Sequence, residues 1–341
     1  MSERATLRDV AKLAEVSLGT ASQALSNKPG VAPDTRARVL QAAVDLGYQH
    51  QIRVATPTAY AISTVGMLMK RAVNDQLPIN PFYSYVLSGA ERECQRRNLS
   101  LMYAHVEVDE QNRAQNWPPM LLNQRADGLL VVGAFLEETI IRISQQTQQK
   151  IVLVDSYAPD QLFDSIVTDN INGAYNAVRY LIDRGHSRIG CVGSMPAGYP
   201  SIRERRKGYT RALKEAGITD LYIEDSLLTR EDVYDATIRL LRRSPEITAI
   251  FACNDNAAIG ALNAINDLGL RVPDDISLVG FDDIDLAQEV SPALTTIHVD
   301  KTLMGVLAVR QLLERAENPD RPALTIALST QLLERESVRS L

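Results

Sequence analysis

From Ile62 onward, short apolar runs of strand length alternate with amphipathic stretches of helix length. No other feature of this chain narrows its possible folds as far. "AISTVGMLM" is followed by "SYVLSGAERECQRRN" and "LSLMYAHV", and later by "DGLLVVG", "KIVLVDS", "SRIGCVGS", "TAIFACND" and "ISLVGFDD". Short Ile/Val/Leu-rich runs spaced by helices form parallel strands covered on both faces. The region is therefore expected to form doubly wound parallel sheets, in which ligands lie beyond the carboxyl ends of the strands. Several of these strands end in a polar residue: Asp155, Ser194, Asn254 and Asp282.

The same region argues against catalysis. "GSMPAG" follows a strand but lacks G-x-G-x-x-G spacing, and there is no nucleophile elbow. The four histidines (His50, His105, His186, His298) are scattered and pair with no candidate nucleophile, so neither an enzyme nor a cofactor is expected. Cys94, Cys191 and Cys253 are odd in number and far apart. They read as buried small hydrophobes, and no metal site is expected.

At 341 residues the chain is too long for one ordinary domain, and 45% apolar against 23% charged residues supplies more than one core. No apolar run approaches the ~20 residues of a membrane span, and "MSERATLRDVAKLAEVS" has no signal-peptide core. The expectation is a cytoplasmic protein with no membrane partner. The net charge of −6 speaks against nucleic acid, but it is unevenly spread. Residues 1 to 60 hold seven cations (Arg4, Arg8, Lys12, Lys28, Arg36, Arg38, Arg53) against five acids (Glu3, Asp9, Glu15, Asp34, Asp45). That segment is +2 and the remainder −8.

Three short helices are predicted in this first segment. Thr6 with Asp9 three residues on forms a capping-box signal, and Leu7, Val10, Ala11 and Ala14 follow at helical spacing. The third helix opens at Pro33 and stops at Gly47, with Val39, Leu40, Ala43 and Leu46 as its apolar stripe. Between them "VSLGTASQALSN" is a poor helix former, rich in Ser, Thr, Gly and Asn. On a helical wheel Ala21, Ala24 and Leu25 gather on one side, and Leu18, Gly19, Ser22 and Gln23 on the other within about 140°. That outer face carries no Lys, Glu or Asp. It suits a major groove, where Gln bonds bidentately to adenine and Leu meets a thymine methyl. Ser17, Thr20 and Ser22 offer hydroxyls to phosphates, with Ser17 at the favourable end of the helix dipole.

The string "TLRDVAKLAEVSLGTASQALSNKPGVAPDTRARVLQAAVDLGY" resembles, without gaps, the DNA-binding headpiece of the lactose-repressor (LacI) family. The resemblance implies that Leu18, Gly19 and Gln23 read bases and that Ser17, Thr20 and Ser22 contact phosphate. Gln23 stands where the family commonly has Arg, which implies a different base in the operator. The family's hinge helix follows the headpiece, but here the span reads "QHQIRVATPT", with Ala55 and Pro57 at the family's Arg and minor-groove Leu. Pro57 can wedge between bases or the span can serve as a flexible linker, and Arg53 can reach the DNA backbone.

The resemblance continues through "VTDNINGAYNAVRYLIDRGHSRIGCVG", "FACNDNAAIGALNAINDLGLRVPDDISLVGFDD" and "LSTQLLERES". It implies an all-α helix-turn-helix headpiece (1–48), a hinge or linker (49–60) and a periplasmic-binding-protein-like core of two α/β subdomains. The expected subdomains are 61–167 with 297–324, and 168–296 with 325–341. Matching the family's effector pocket gives Asn80, Phe82, Tyr83, Asp155, Arg205, Asn254 and Asp282. Carboxylates, amides, a forked Arg and aromatic rings suit a polyol, so a sugar-like effector is implied. A purine or nucleoside between Phe82 and Tyr83 is the alternative; a transporter's solute-binding protein would want a signal peptide and no headpiece. The loop "KRAVNDQLPINPFY" is longer than in the family, and Leu228–Thr229 lacks the usual stacking aromatic. Arg203 and Arg206 read as helix surface. One headpiece covers one half-site, so the expected partners are a second copy of the chain, pseudo-palindromic operator DNA and a small effector. The implied function is a ligand-responsive repressor of carbohydrate uptake or catabolism genes.

Overall fold

The computed structural model describes residues 6–25, 31–46, 48, 62–72, 80–109, 112–157 and 162–341. The chain divides into two compact units, 1–59 and 60–341.

The first unit is built from α1 (Leu7–Leu13), α2 (Leu18–Leu25) and α3 (Pro33–Asp45). The capping box forms as the sequence predicts: the Thr6 amide donates to Asp9 Oδ2 at 2.8 Å, and Thr6 Oγ1 accepts from the Asp9 amide. The Ser17 hydroxyl accepts from the Thr20 amide at 3.1 Å and so caps α2. Val10, Ala11, Ala14, Ala21, Ala24, Val39, Ala42 and Ala43 form the core. One expectation for α3 is corrected: Leu40 and Leu46 are exposed, and Ala42 takes their place beside Val39 and Ala43. Leu7 and Leu25 pack at the edge of this core, while Leu40 and Leu46 fall on the solvent side of α3. The predicted stop at Gly47 and the span 49–60, with Arg53 and Pro57, lie outside the described residues.

The second unit holds two six-stranded sheets. Its elements run β1 (Thr64–Ala72), α4 (Pro81–Arg96), β2 (Ser100–Val108), α5 (Pro119–Leu122), β3 (Gly128–Val132), α6 (Glu137–Gln146), β4 (Lys150–Val154) and β5 (Asp164–Thr168). Then come α7 (Asn170–Asp183), β6 (Ile189–Ser194), α8 (Pro200–Glu215), β7 (Tyr222–Asp225), α9 (Arg230–Arg243), β8 (Ala249–Ala252), α10 (Asp255–Asp267), β9 (Ser277–Asp282) and α11 (Leu286–Glu289). The last are β10 (Thr295–His298), α12 (Lys301–Glu317), β11 (Thr325–Leu328) and β12 (Gln331–Leu333). The first sheet has the order β11-β5-β4-β3-β1-β2, the second β12-β10-β9-β8-β6-β7. Among the described residues, the pairings between these strands are parallel except β10 with β12. The central strands are buried along their whole length, as their unbroken apolar runs require.

The chain crosses between subdomains three times, after β5, after β10 and between β11 and β12. This shifts two expected boundaries. Thr295–His298 pairs with β9 in the second sheet, so the return to the first subdomain follows His298 rather than Thr296. Thr325–Leu328 pairs with β5, so the last exchange follows Leu328 rather than Leu324. Buried Asp164 fastens the end of α12 to the first sheet, taking Arg315 and Arg321 at 2.8 Å each. The three cysteines are free and buried.

Candidate functional site

In the first unit, α2 presents the predicted outer face. Ser17, Leu18, Gly19 and Gln23 are exposed and Thr20 and Ser22 half-buried, while Ala21 and Ala24 pack inward. Ser17 Oγ and Thr20 Oγ1 lie 2.8 Å apart, so the two hydroxyls sit together at the helix N-terminus. The helix carries no acid in its first turn to repel a phosphate.

In the second unit, Tyr83, Asp155, Arg205 and Asp282 converge where the strands of both sheets end. Tyr83 stands in the first turn of α4 and donates its hydroxyl to Asp155 Oδ2 at 2.8 Å. Asp155 follows β4 with φ +50°. Arg205, on α8, is buried, and each of its three side-chain nitrogens has a protein partner. Its Nε donates to Asn170 Oδ1 at 2.9 Å, Nη1 to the Cys253 carbonyl at 2.7 Å, and Nη2 meets Asp282 Oδ1 at 2.9 Å. The guanidinium lies 3.8 Å from the Phe281 ring centroid. The Asp282 contact is an ion pair without hydrogen-bond alignment, so Asp282 Oδ1, like Asp155 Oδ1 and Ser156 Oγ, is buried with no hydrogen-bond partner. Buried polar atoms are rarely left so, and these want donors and acceptors from a bound molecule.

The other expected pocket residues have local duties. Asn80 is exposed and caps α4 through the Phe82 amide at 2.9 Å. Asn254 caps α10 through the Ala257 amide at 2.7 Å. Phe82 is buried in the core, and its ring stands at 83° to that of Tyr83 with centroids 5.2 Å apart. That arrangement leaves no parallel slot between the two rings. Arg206 pairs with Asp225 on the surface, as read.

The structure adds residues that sequence reasoning missed. Lys70, at the end of β1, donates to the Tyr199 hydroxyl of the other subdomain at 3.0 Å. Asn170, buried at the first crossover, donates to the Thr168 carbonyl and to the Tyr157 hydroxyl while its Oδ1 orients Arg205; Tyr157 in turn donates to Glu204. Lys70 had the same signal as Asp155, a polar side chain near a strand's carboxyl end. Asn170 and Glu204 carry no local signal beyond their neighbours.

Burial pushes the Asp155 carboxyl up to about 6, against the combined pull of Arg205, the Tyr83 hydroxyl and Lys70. Burial likewise raises Asp282. The folded Asp155 binds its proton more tightly than the unfolded, so its contribution to stability grows as pH falls through 6 and is lost as pH rises. Between pH 7 and 4.5 this amounts to roughly 2 kcal/mol. Urea denaturation of wild type and Asp155→Asn at those two pH values should show the difference between them shifting by that amount in favour of wild type at low pH. A difference independent of pH would mean that the carboxyl titrates normally.

Among the described residues no cluster of His, Cys, Asp and Glu could hold a metal ion, and no helix is long and apolar enough to cross a membrane. A helical unit with a small, uncharged, exposed helix face, joined in one chain to a two-sheet unit with a buried polar cleft, defines a ligand-responsive DNA-binding regulator. Residues 6–51 match the bacterial regulatory proteins of the lacI family, and residues 178–338 match the periplasmic binding protein-like domain. The chain is 32% identical over 340 residues to the HTH-type transcriptional repressor PurR of Pasteurella multocida, covering 98% of this chain and 99% of that one. It is 34% identical over 350 residues to the ribose operon repressor of Haemophilus influenzae, covering 99% of each. The Lac repressor dimer bound to operator and the anti-inducer ONPF is a similar solved structure, with a TM-score of 0.71 at 25% identity, covering 99% of this chain and 100% of that one. The chain belongs to the lacI family of bacterial regulatory proteins.

Proposed function

We propose that this repressor acts in the cytoplasm at the nucleoid, as a homodimer on a pseudo-palindromic operator, and answers to a neutral sugar in its cleft. It is a binding protein and not an enzyme. The observation that carries the sugar reading is the state of Arg205: Nε, Nη1 and Nη2 each have a protein partner, while Asp155 Oδ1 and Ser156 Oγ are buried without a hydrogen-bond partner. The site therefore asks for hydroxyl groups rather than for an anion. The similarity to a ribose operon repressor supports the same class. The half-buried Tyr83 ring favours a second reading, a purine or nucleoside stacked on it. In the first unit Gln23 and Leu18 read bases, Gly19 lets the backbone approach them, and Ser17, Thr20 and Ser22 bind phosphates. Arg53 is assigned to the DNA backbone.

The test is a thermal-shift panel of ribose, glucose, cellobiose, ribose 5-phosphate, guanine and adenosine, followed by operator binding with any positive compound. A ligand at a hundred times its Kd adds ~2.7 kcal/mol of stability. A neutral sugar should raise the melting midpoint and change operator affinity. A response to guanine or adenosine alone would establish the second reading, and a response to the phosphate alone would refute both. Gln23→Ala should weaken operator binding by roughly tenfold to a hundredfold and leave scrambled DNA unaffected. Equal losses on both would remove Gln23 from base readout.

A further inference from the structure

Behind the cleft, the turn that follows β9 is held in an uncommon backbone. Asp282 has φ +106° and Asp283 φ +53°, two successive non-glycine residues in the left-handed region. Each such residue costs about 1–3 kcal/mol and persists only where its surroundings enforce it. The Asp283 carboxylate is tied to Arg335 at 2.6 Å and to His298 at 2.8 Å. The next amide, that of Ile284, donates to buried Asp255 at 2.9 Å.

The remaining constraint comes from the other subdomain. Lys301 is the first residue of α12, immediately after the second crossover, and its side chain is buried. Its ammonium donates to the carbonyls of Asp282 at 2.5 Å, Asp283 at 2.8 Å and Val299 at 3.2 Å. All three of its hydrogens therefore have backbone acceptors. Among the described residues no carboxylate lies within ion-pair distance of it, so the charge is spent on the shape of a turn. Beside it, Tyr85 of α4 donates to Asp285 at 2.6 Å, so the first subdomain grips the turn at two points.

We propose that Lys301 is a positioning residue for the cleft: from α12 it holds the Asp282–Asp283 turn in its left-handed form. This aims the Asp282 carboxylate at Arg205 and links any change at that carboxylate to the second crossover. The link to ligand response rests on the reading of Asp282 as an effector contact; the control of the turn does not. Burial opposes the ammonium's charge and lowers its pKa, while the surrounding Asp282, Asp283, Asp255 and Asp285 act to retain it.

The test uses the full chain as wild type, Lys301→Met and Lys301→Gln. Methionine keeps the apolar stem near the Phe82 and Tyr85 rings and removes every donor; glutamine keeps two. Hydrogen exchange should speed up by about tenfold or more over residues 282–287 in Lys301→Met, as the loss of charged hydrogen bonds implies. Exchange in β8 should not change, and Lys301→Gln should fall between the two. With ribose as probe, a melting shift present in wild type should vanish in Lys301→Met and partly return in Lys301→Gln. Unchanged exchange at 282–287 overturns the control of the turn, and an intact ribose shift in Lys301→Met overturns its link to ligand response. If wild type shows no ribose shift, the sugar reading fails for ribose, and exchange alone decides the role of Lys301. If Lys301→Met does not accumulate as folded protein, Lys301→Gln against wild type is read in the same way.

Discussion

Replacing Arg205 with methionine should remove about 3–5 kcal/mol of unfolding free energy and erase the response to cleft ligands. Methionine fills much of the space over Phe281, so the loss is electrostatic rather than a cavity. Asp282 would lose its ion pair, and the Cys253 carbonyl and Asn170 Oδ1 would lose their donors, all in a buried setting. Breaking one side of a buried pair leaves an uncompensated charge, which is why the penalty exceeds the net worth of the pair. Combining Arg205→Met with Asp282→Asn should therefore recover part of the loss, a non-additivity expected only of partners in one network. Urea denaturation of the four proteins measures it. A single-mutant loss under about 1 kcal/mol, or strict additivity, would place Arg205 outside a buried network.

The second large effect lies at the α4–α12 seam. Two glycines let these helices touch backbone to backbone: a Cβ on Gly305 would stand 2.0 Å from the Val86 carbonyl oxygen, and one on Gly89 2.0 Å from the Thr302 carbonyl oxygen. In an open helix Gly→Ala stabilises by about 1 kcal/mol. Here the obstacle is main chain and cannot rotate away, so the helices must part. Gly305→Ala should cost about 3 kcal/mol or more, at the upper end of overpacking penalties. Because both substitutions push the same two helices apart, Gly89→Ala with Gly305→Ala should cost less than the sum of the two. Denaturant titration of the three variants checks this, and a neutral or stabilising Gly305→Ala would show that the seam yields easily.

Local chemistry was the part of this molecule most legible in the sequence. The Thr6–Asp9 box, the Ser17 cap and the uncharged face of α2 each depend on residues within one or two turns of one another. Asp155 and Asp282 could be picked out because parallel strands deliver their carboxyl ends to one place. Leu40 and Leu46 are exposed because helical spacing identifies a stripe but not which of its edges the neighbouring helices cover. The subdomain boundaries at 297 and 324 slipped because β10 and β11 are four-residue strands whose choice of sheet is settled by partners far away in the chain. The same distance hid the contacts of the cleft. Lys70 meets Tyr199 and Arg205 meets Asn170 only after folding, and nothing near Lys301 in the sequence shows that two of its acceptors are the carbonyls of a turn behind the cleft.

The three crossings of the chain also bear on its synthesis. The first sheet opens at Thr64 but gains its last strand only with Leu328, and the second closes only at Leu333. The α4 groove around Gly89 stays uncovered until α12 has left the ribosome. Neither sensing lobe can therefore mature as an independent module during translation. The small helical unit, whose three helices all lie before residue 46, is under no such delay. Every nascent copy thus passes through a period with its helix-turn-helix unit made and its two-sheet unit unfinished. A premature stop before Thr325 would leave each sheet short of one strand.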